Sequence, residues 1–277
     1  MVAVRVPAYV KVIVLALVVG TAGSVFSWQT MGNWFPVNAA TQATRQDQIY
    51  LVVMIISWYI FATIFAALVY SLLKWRAKPG DDRDGPPVHG HTGLEIIWTV
   101  IPVIIVVSLA VYAGITVVRD EALTKKHLTI HVVGQQFWWS FHYPGHTFTA
   151  GYAEVPIGQD VQFRITAPGN DVVHEFYIPA FREGEDAVPG ITTFLEAHPT
   201  RLGTYQIVCA ELCGIGHSQM RTVIKVVSEA QYQQWLTAMQ AAMKPASSTS
   251  GSTTSSSLAG SPHTLQTLTL TPVGTEQ

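Results

Sequence analysis

Cys209-Ala210-Glu211-Leu212-Cys213-Gly214-Ile215-Gly216-His217-Ser218-Gln219-Met220 holds both cysteines of the chain together with a histidine and a methionine. Thiolate, imidazole and thioether side chains this close together form a soft ligand set, which suits copper better than magnesium, calcium or haem iron. Two thiols four apart also admit a small-loop disulfide, or a zinc clip completed by His217 and a second histidine. The stretch lies between the β-branched runs Thr204 to Val208 and Thr222 to Val227, so it reads as a loop held at both ends by strands. One cysteine would be enough for a mononuclear blue-copper site. The second points to two sulfurs bridging two copper ions, each of which needs its own terminal nitrogen. His217 supplies one of them.

Working outward, residues 128 to 227 carry further short runs of β-branched and aromatic residues, at Leu128 to Val133 and Val161 to Ile165, separated by Pro and Gly turns. This pattern predicts a mainly β domain, a sandwich or Greek-key barrel. Within it, Asp171-Val-Val-His174-Glu-Phe-Tyr-Ile-Pro179 sets a histidine in an apolar strand ahead of the loop, a source for the second nitrogen. Tyr232, Trp235, Leu236, Met239 and Met243 then recur at helical spacing after Ser228 and close a domain over 128–243. The Ser/Thr-rich segment 244–277 lacks the apolar content to pack and is expected to be disordered.

The N-terminal part is of another kind. Across all 277 residues, 49% are hydrophobic and 12% charged, too apolar a balance for an ordinary soluble chain. Ile49 to Leu73 carries no charge, and Leu94 to Val118 carries only Glu95. Each is long enough to cross a hydrocarbon core of about 30 Å, so 28–127 is expected to form a two-helix transmembrane hairpin. The run Val12 to Phe26 follows Arg5 and Lys11 and reads as a signal peptide over 1–27, with small residues at Thr21-Ala22-Gly23 for cleavage, or as a first membrane helix. Lys74, Arg76, Lys78 and Arg83 between the two long runs place that linker in the cytoplasm. The β domain then lies outside. Trp28, Trp34, Trp58, Trp75 and Trp98 fall where aromatic belts form. A net charge of -2 with no basic stripe gives no sign of a nucleic-acid partner.

With His174 added, the pattern Cys-x-Glu-x-Cys-x3-His-x2-Met at Cys209, Glu211, Cys213, His217 and Met220 resembles the binuclear copper centre (CuA) of subunit II of haem-copper cytochrome c oxidases. The resemblance runs from residue 46 to 227 and takes in Asp186-Ala-Val-Pro-Gly190. It implies a cupredoxin-like Greek-key β-barrel behind a membrane anchor, with Cys209 and Cys213 bridging the coppers, His174 and His217 as terminal ligands and Met220 as a weak axial ligand. Glu211 would give its carbonyl as the other axial ligand and its carboxylate to a Mg2+ shared with the catalytic subunit. Glu95-Ile-Ile-Trp98-Thr-Val-Ile-Pro102 resembles the family segment whose glutamate stands at the mouth of a proton-uptake path; a glutamate at a helix start is also a plain dipole partner. Gly134-Gln-Gln-Phe137-Trp138-Trp139 resembles the aromatic segment through which electrons enter, with Phe137 where the family has tryptophan and His142 where it often has an acid. Phe137 and Trp138 are therefore the two candidates for that role.

The implied activity is that of an electron-transferring subunit in the bacterial cytoplasmic membrane. It would accept electrons outside the membrane from cytochrome c or another small redox donor and pass them to a proton-translocating catalytic subunit that reduces O2. No O2 chemistry resides in this chain, and no C-x-x-C-H haem motif occurs. Three other functions share parts of the pattern: a copper-containing nitric oxide reductase subunit, a copper-delivery protein, and a quinol-oxidase subunit that has lost its metal. Intact Cys209 and Cys213 speak against the last. From Leu128 to Val227, nine Asp/Glu stand against five Lys/Arg, a net of -4 that would steer a basic donor towards the domain.

Overall fold

The computed structural model describes residues 7–76, 79–80, 87, 89–122 and 127–243. The tail from residue 244 lies outside them, as do Arg5, Lys78 and Arg83. Three helices, not two, are long and apolar enough to cross a membrane: α1 (Ala8–Trp34), α2 (Thr41–Lys74) and α3 (Thr92–Asp120). The expected hairpin is therefore corrected to a three-helix anchor. At 27 residues, α1 is about 40 Å long, so it is a spanning helix by length. Its small polar side chains are satisfied on the helix backbone: Ser24 donates to Gly20 O and Thr30 to Phe26 O.

α2 packs antiparallel along α1, on a face of small residues made by Ala16, Gly20, Gly23 and Ser27. A Cβ at Gly20 would stand 2.6 Å from the Tyr59 ring, and one at Gly23 would stand 2.2 Å from the Trp58 ring. The absence of side chains at these two positions is what lets the helices approach. Trp58 Nε1 donates to Ser27 Oγ at 2.7 Å. Trp58 is thus a helix-packing residue and not part of an aromatic belt, whereas Trp28, Trp34, Trp75 and Trp98 are exposed. The antiparallel pairing puts Lys11 and Lys74 at one end and the β domain at the other.

Two five-stranded sheets pack face to face. The first runs in the order β3 (Thr149–Ala150), β2 (Trp138–His142), β1 (Leu128–Gln135), β5 (Val161–Thr166), β8 (Thr193–Ala197). The second runs β4 (Ala153–Pro156), β10 (Arg221–Val227), β9 (Gly203–Cys209), β6 (His174–Ile178), β7 (Glu183–Ala187). β1 with β5 and β4 with β10 are parallel, and the remaining pairs are antiparallel. Separate ladders make this cupredoxin-like domain a sandwich, one of the two β architectures expected from the sequence. Inward alternation buries Ile130 and Val132 on β1, Phe163 and Ile165 on β5, and Phe176 and Ile178 on β6. Phe176 lies at the centre, with its ring centroid 5.3 Å from that of Trp139 and 5.4 Å from that of Phe163.

Helix α4 (Glu229–Met243) starts with a reciprocal cap. Ser228 Oγ accepts from Gln231 N, and Gln231 Oε1 accepts from Ser228 N. The sandwich is tied to the outer end of the anchor by Ala39 N to Ala180 O, Thr41 N to His198 O, and the Arg182 guanidinium on Asp47 and Pro36 O. These contacts join the sandwich that carries the Cys209–Met220 loop to that end of the anchor.

Candidate metal centre

β9 delivers Cys209 and β10 begins at Arg221, with Cys209 N donating to Met220 O at 3.1 Å across the neck of the loop. Inside the neck, His217 to Gln219 form a single 3-10 turn closed by Met220 N to His217 O. Gly214 adopts φ +130, which a side chain would resist. β6 pairs antiparallel with β9, setting Phe176 opposite Cys209. His174, two residues before Phe176, therefore faces the same interior. Ala210 N donates to Glu175 O at 3.2 Å and ties the loop to that strand.

The cysteines are free, with Sγ atoms 3.8 Å apart, well beyond a disulfide bond of about 2.05 Å. Each sulfur has its own imidazole. Cys209 Sγ lies 3.9 Å from His174 Nδ1, and Cys213 Sγ lies 3.6 Å from His217 Nδ1. Each also has one weaker donor: Glu211 O is 3.2 Å from Cys209 Sγ, and Met220 Sδ is 3.8 Å from Cys213 Sγ. His174, Cys209, Cys213 and Met220 are buried, and His217 is half-buried. The structure thus brings together all six positions singled out in the sequence. Burial and then the neighbouring Cys209 push the Cys213 thiol up to about 11, so that thiol keeps its proton until a metal displaces it.

Several surrounding residues went unrecognised in the sequence. Asp171 Oδ1 stands 3.4 Å from His174 Nε2, behind the metal-facing nitrogen. Burial works to raise the Asp171 carboxyl, but the N–H groups of Val172 and Gln136 and the His174 ring outweigh it and hold it below the usual range. Gln136 Nε2 donates to Cys213 O at 2.6 Å, and Trp139 meets the His174 ring edge-on at 6.1 Å. The short Asp171-x-x-His174 spacing was a usable signal for Asp171. Gln136 and Trp139 gave none, since their roles depend on the β1–β2 hairpin reaching the loop.

Phe137 and Trp138 are placed apart. Gln136 and Phe137 form the turn between β1 and β2, so Phe137 stands outside both strands, while Trp138 is the first residue of β2. A Cβ at Gly216 would come within 2.5 Å of the Phe137 ring, which therefore lies against the metal loop. Trp138 is 55% exposed beside it. Glu95 lies at the other end of the anchor, in the first turn of α3. Its Oε1 accepts from His91 N at 3.2 Å while His91 Nδ1 accepts from Leu94 N, so it acts as a helix cap. The Glu211 carboxylate is exposed. Among the described residues, the one group of three His, Cys, Asp or Glu side chains with ligand atoms close enough to share an ion is His174, Cys209 and Cys213, so the geometry gives no support to Mg2+ at Glu211.

A family model described as cytochrome C oxidase subunit II, transmembrane domain, matches residues 27–114, and one described as cytochrome C oxidase subunit II, periplasmic domain, matches residues 150–227. The chain is 38% identical over 198 residues to cytochrome c oxidase subunit 2 of Alkalihalophilus pseudofirmus, covering 69% of this chain and 56% of that one. It is 31% identical over 274 residues to cytochrome c oxidase subunit 2 of Synechocystis sp., covering 81% and 82%. It therefore spans just over half the length of the first relative and most of the second. Among solved structures, the periplasmic domain of subunit II of cytochrome oxidase of Bradyrhizobium japonicum aligns over 44% of this chain and 99% of that one, at 27% identity and a TM-score of 0.41. This is a membrane protein with transmembrane helices and a periplasmic domain. The two family domains match in order on a chain with membrane helices, a β-sandwich and a His/Cys/Cys/Met cluster, and the chain belongs to the cytochrome c oxidase subunit II family.

Proposed function

We propose that this chain is the electron-accepting subunit of a haem-copper terminal oxidase in a bacterial cytoplasmic membrane, with a binuclear copper centre held by His174, Cys209, Cys213, His217, Met220 and the Glu211 carbonyl. The observation that carries the reading is the symmetry of the donor set: two adjacent free thiols, each with one imidazole Nδ1 and one weak donor. A zinc clip would use the thiols and imidazoles and leave Met220 and Glu211 O without purpose. A bound copper pair would supply reversible one-electron storage.

The protein's part is to hold the donors still. Cys209 and Met220 are fixed by the strand ends, His174 by β6 and Asp171, and Cys213 by Gln136 through its carbonyl. A frame of this kind limits rearrangement between oxidation states. The donor approaches outside the membrane, where Trp138 and Phe137 offer an aromatic path to the loop and the net -4 of residues 128–227 favours a basic partner. Cytochrome c, a membrane-bound cytochrome and a small copper protein all fit that description. The curated relatives' name, cytochrome c oxidase subunit 2, supports a catalytic partner that reduces O2. Glu95, on the cytoplasmic side with Lys74, is the proposed proton-uptake residue, and its exposure supports that role.

Electron paramagnetic resonance of the copper-loaded full chain tests the reading. One electron shared over two copper nuclei gives a seven-line hyperfine pattern. A four-line spectrum, or a protein that takes up zinc and stays silent, would overturn it.

A further inference from the structure

On the solvent face of the first sheet the strand registers align one row of side chains: Thr149 on β3, His142 on β2, His131 on β1, Arg164 on β5 and Phe194 on β8. His131 and His142 are directly opposite each other on antiparallel strands, which puts their Cβ atoms about 5 Å apart. Both rings line a single depression of about 250 Å3, together with Arg164 and Thr166. Each histidine is five residues from the Gln136–Phe137 turn, about 16 Å along the strands, so the pair shares no ligand with the cysteine loop.

The two rings are prepared differently. His142 Nδ1 is hydrogen-bonded to Thr149 Oγ1 at 3.1 Å, which leaves Nε2 as the ring's ligand nitrogen, the arrangement common for metal-binding imidazoles. His131 has its pKa lowered by what burial its ring has, then by Arg164 and His142, so its lone pair is available at neutral pH. Arg164 works the other way. It has no ion-pair partner among the described residues and lies 5.4 Å from the centroid of the Phe194 ring, and its charge repels a cation in the depression.

We infer that His131 and His142 together form a surface site for a borderline divalent transition metal of the Zn(II) or Cu(II) class, with water completing the shell. Imidazole nitrogens suit these ions, whereas hard cations prefer oxygen. The site is independent of what occupies the cysteine loop. If that loop takes up two coppers, Cu(II) in excess adds a third, mononuclear copper to each chain.

The test is a Zn(II) titration of the copper-loaded full chain in detergent, by competition with a chromophoric chelator, on the wild type, His131→Ala, His142→Ala, His146→Ala and Arg164→Gln. The histidines and the arginine of the row lie on the outer face of the sheet, so the variants leave the core intact. Expected is a loss of Zn(II) affinity of at least tenfold in both His131→Ala and His142→Ala, with no change in His146→Ala. Arg164→Gln should bind several-fold more tightly, because a like charge nearby is removed. A loss below tenfold in either row histidine, an equal loss in His146→Ala, or no tightening in Arg164→Gln would overturn the site. The reading depends on these differences between variants, so it separates from any failure of the binuclear centre, which is read by its own spectrum.

Discussion

Asp171 stands behind His174: its Oδ1 is 3.4 Å from Nε2, while Nδ1 of the same ring faces Cys209 Sγ at 3.9 Å. A carboxylate in that position fixes the ring's orientation and makes the opposite nitrogen a better ligand. Val172 N donates to Asp171 Oδ1 and Gln136 N to Oδ2, so Asp171→Asn keeps an acceptor for one of these two N–H groups and removes the charge. Copper affinity, measured by chelator competition, is expected to fall about 10- to 100-fold. Unchanged affinity would show that β6 alone orients His174.

Gly216 and Phe137 are in close contact, since a Cβ on Gly216 would lie 2.5 Å from the ring. Gly216→Ala must displace either the ring or the loop. A cost of about 1 to 3 kcal/mol is expected for such overpacking, read as a lower unfolding temperature of the full chain. Phe137→Ala in the same chain should restore most of the loss. A double variant no better than Gly216→Ala would place the strain elsewhere in the loop.

Trp138 is exposed beside Phe137, and its side chain contributes no metal ligand. Trp138→Ala should leave the copper spectrum unchanged and slow reduction by an external donor by about tenfold or more in stopped-flow measurements, a barrier increase near 1.4 kcal/mol. Equal rates with and without Trp138 would shift the electron path to Phe137 alone.

Glu183 lies on β7 near Asp120, Glu196 and Glu121. Burial first, and then those three acids, push its carboxyl up to about 8 from 4.5. The folded chain therefore binds more protons than the unfolded one between these values, and its stability falls as pH rises through that window. Glu183→Gln cannot ionise. It should flatten the pH dependence and exceed the wild type above pH 8 by on the order of a few kcal/mol. Parallel stability curves for the two proteins would refute the assignment.

The small-residue face of α1 suggests that the helix stays in the mature protein. Gly23→Leu would drive a side chain into the Trp58 ring, 2.2 Å from the Cβ position. The variant should separate α1 from α2 and lower the unfolding temperature, while intact mass of the wild type should include residues 8–27. A mature chain starting after Gly23 would return the segment to a signal peptide.

Much of this protein is determined by its sequence alone. Uninterrupted apolar runs announce α2 and α3, because crossing a bilayer requires nothing beyond length and hydropathy. The Cys209 to Met220 spacing announces a soft-metal loop, because ligand chemistry and loop length are local properties. Other features were settled only by tertiary structure. His174 reaches Cys209 from 35 residues away through the β6–β9 register, and Gln136 reaches Cys213 from 77 residues away. Trp58 proved to be packed on Gly23 of α1, which hydropathy cannot distinguish from a position at the membrane interface. β7, with the polar sequence Glu183-Gly-Glu-Asp-Ala187, gives no local strand signal and is a strand because β6 pairs with it. Local pattern reports what each segment can do, but which strands pair and which helices touch is decided by packing between segments distant in the chain. Here that packing positions Asp171 behind His174 and lays Phe137 on the loop.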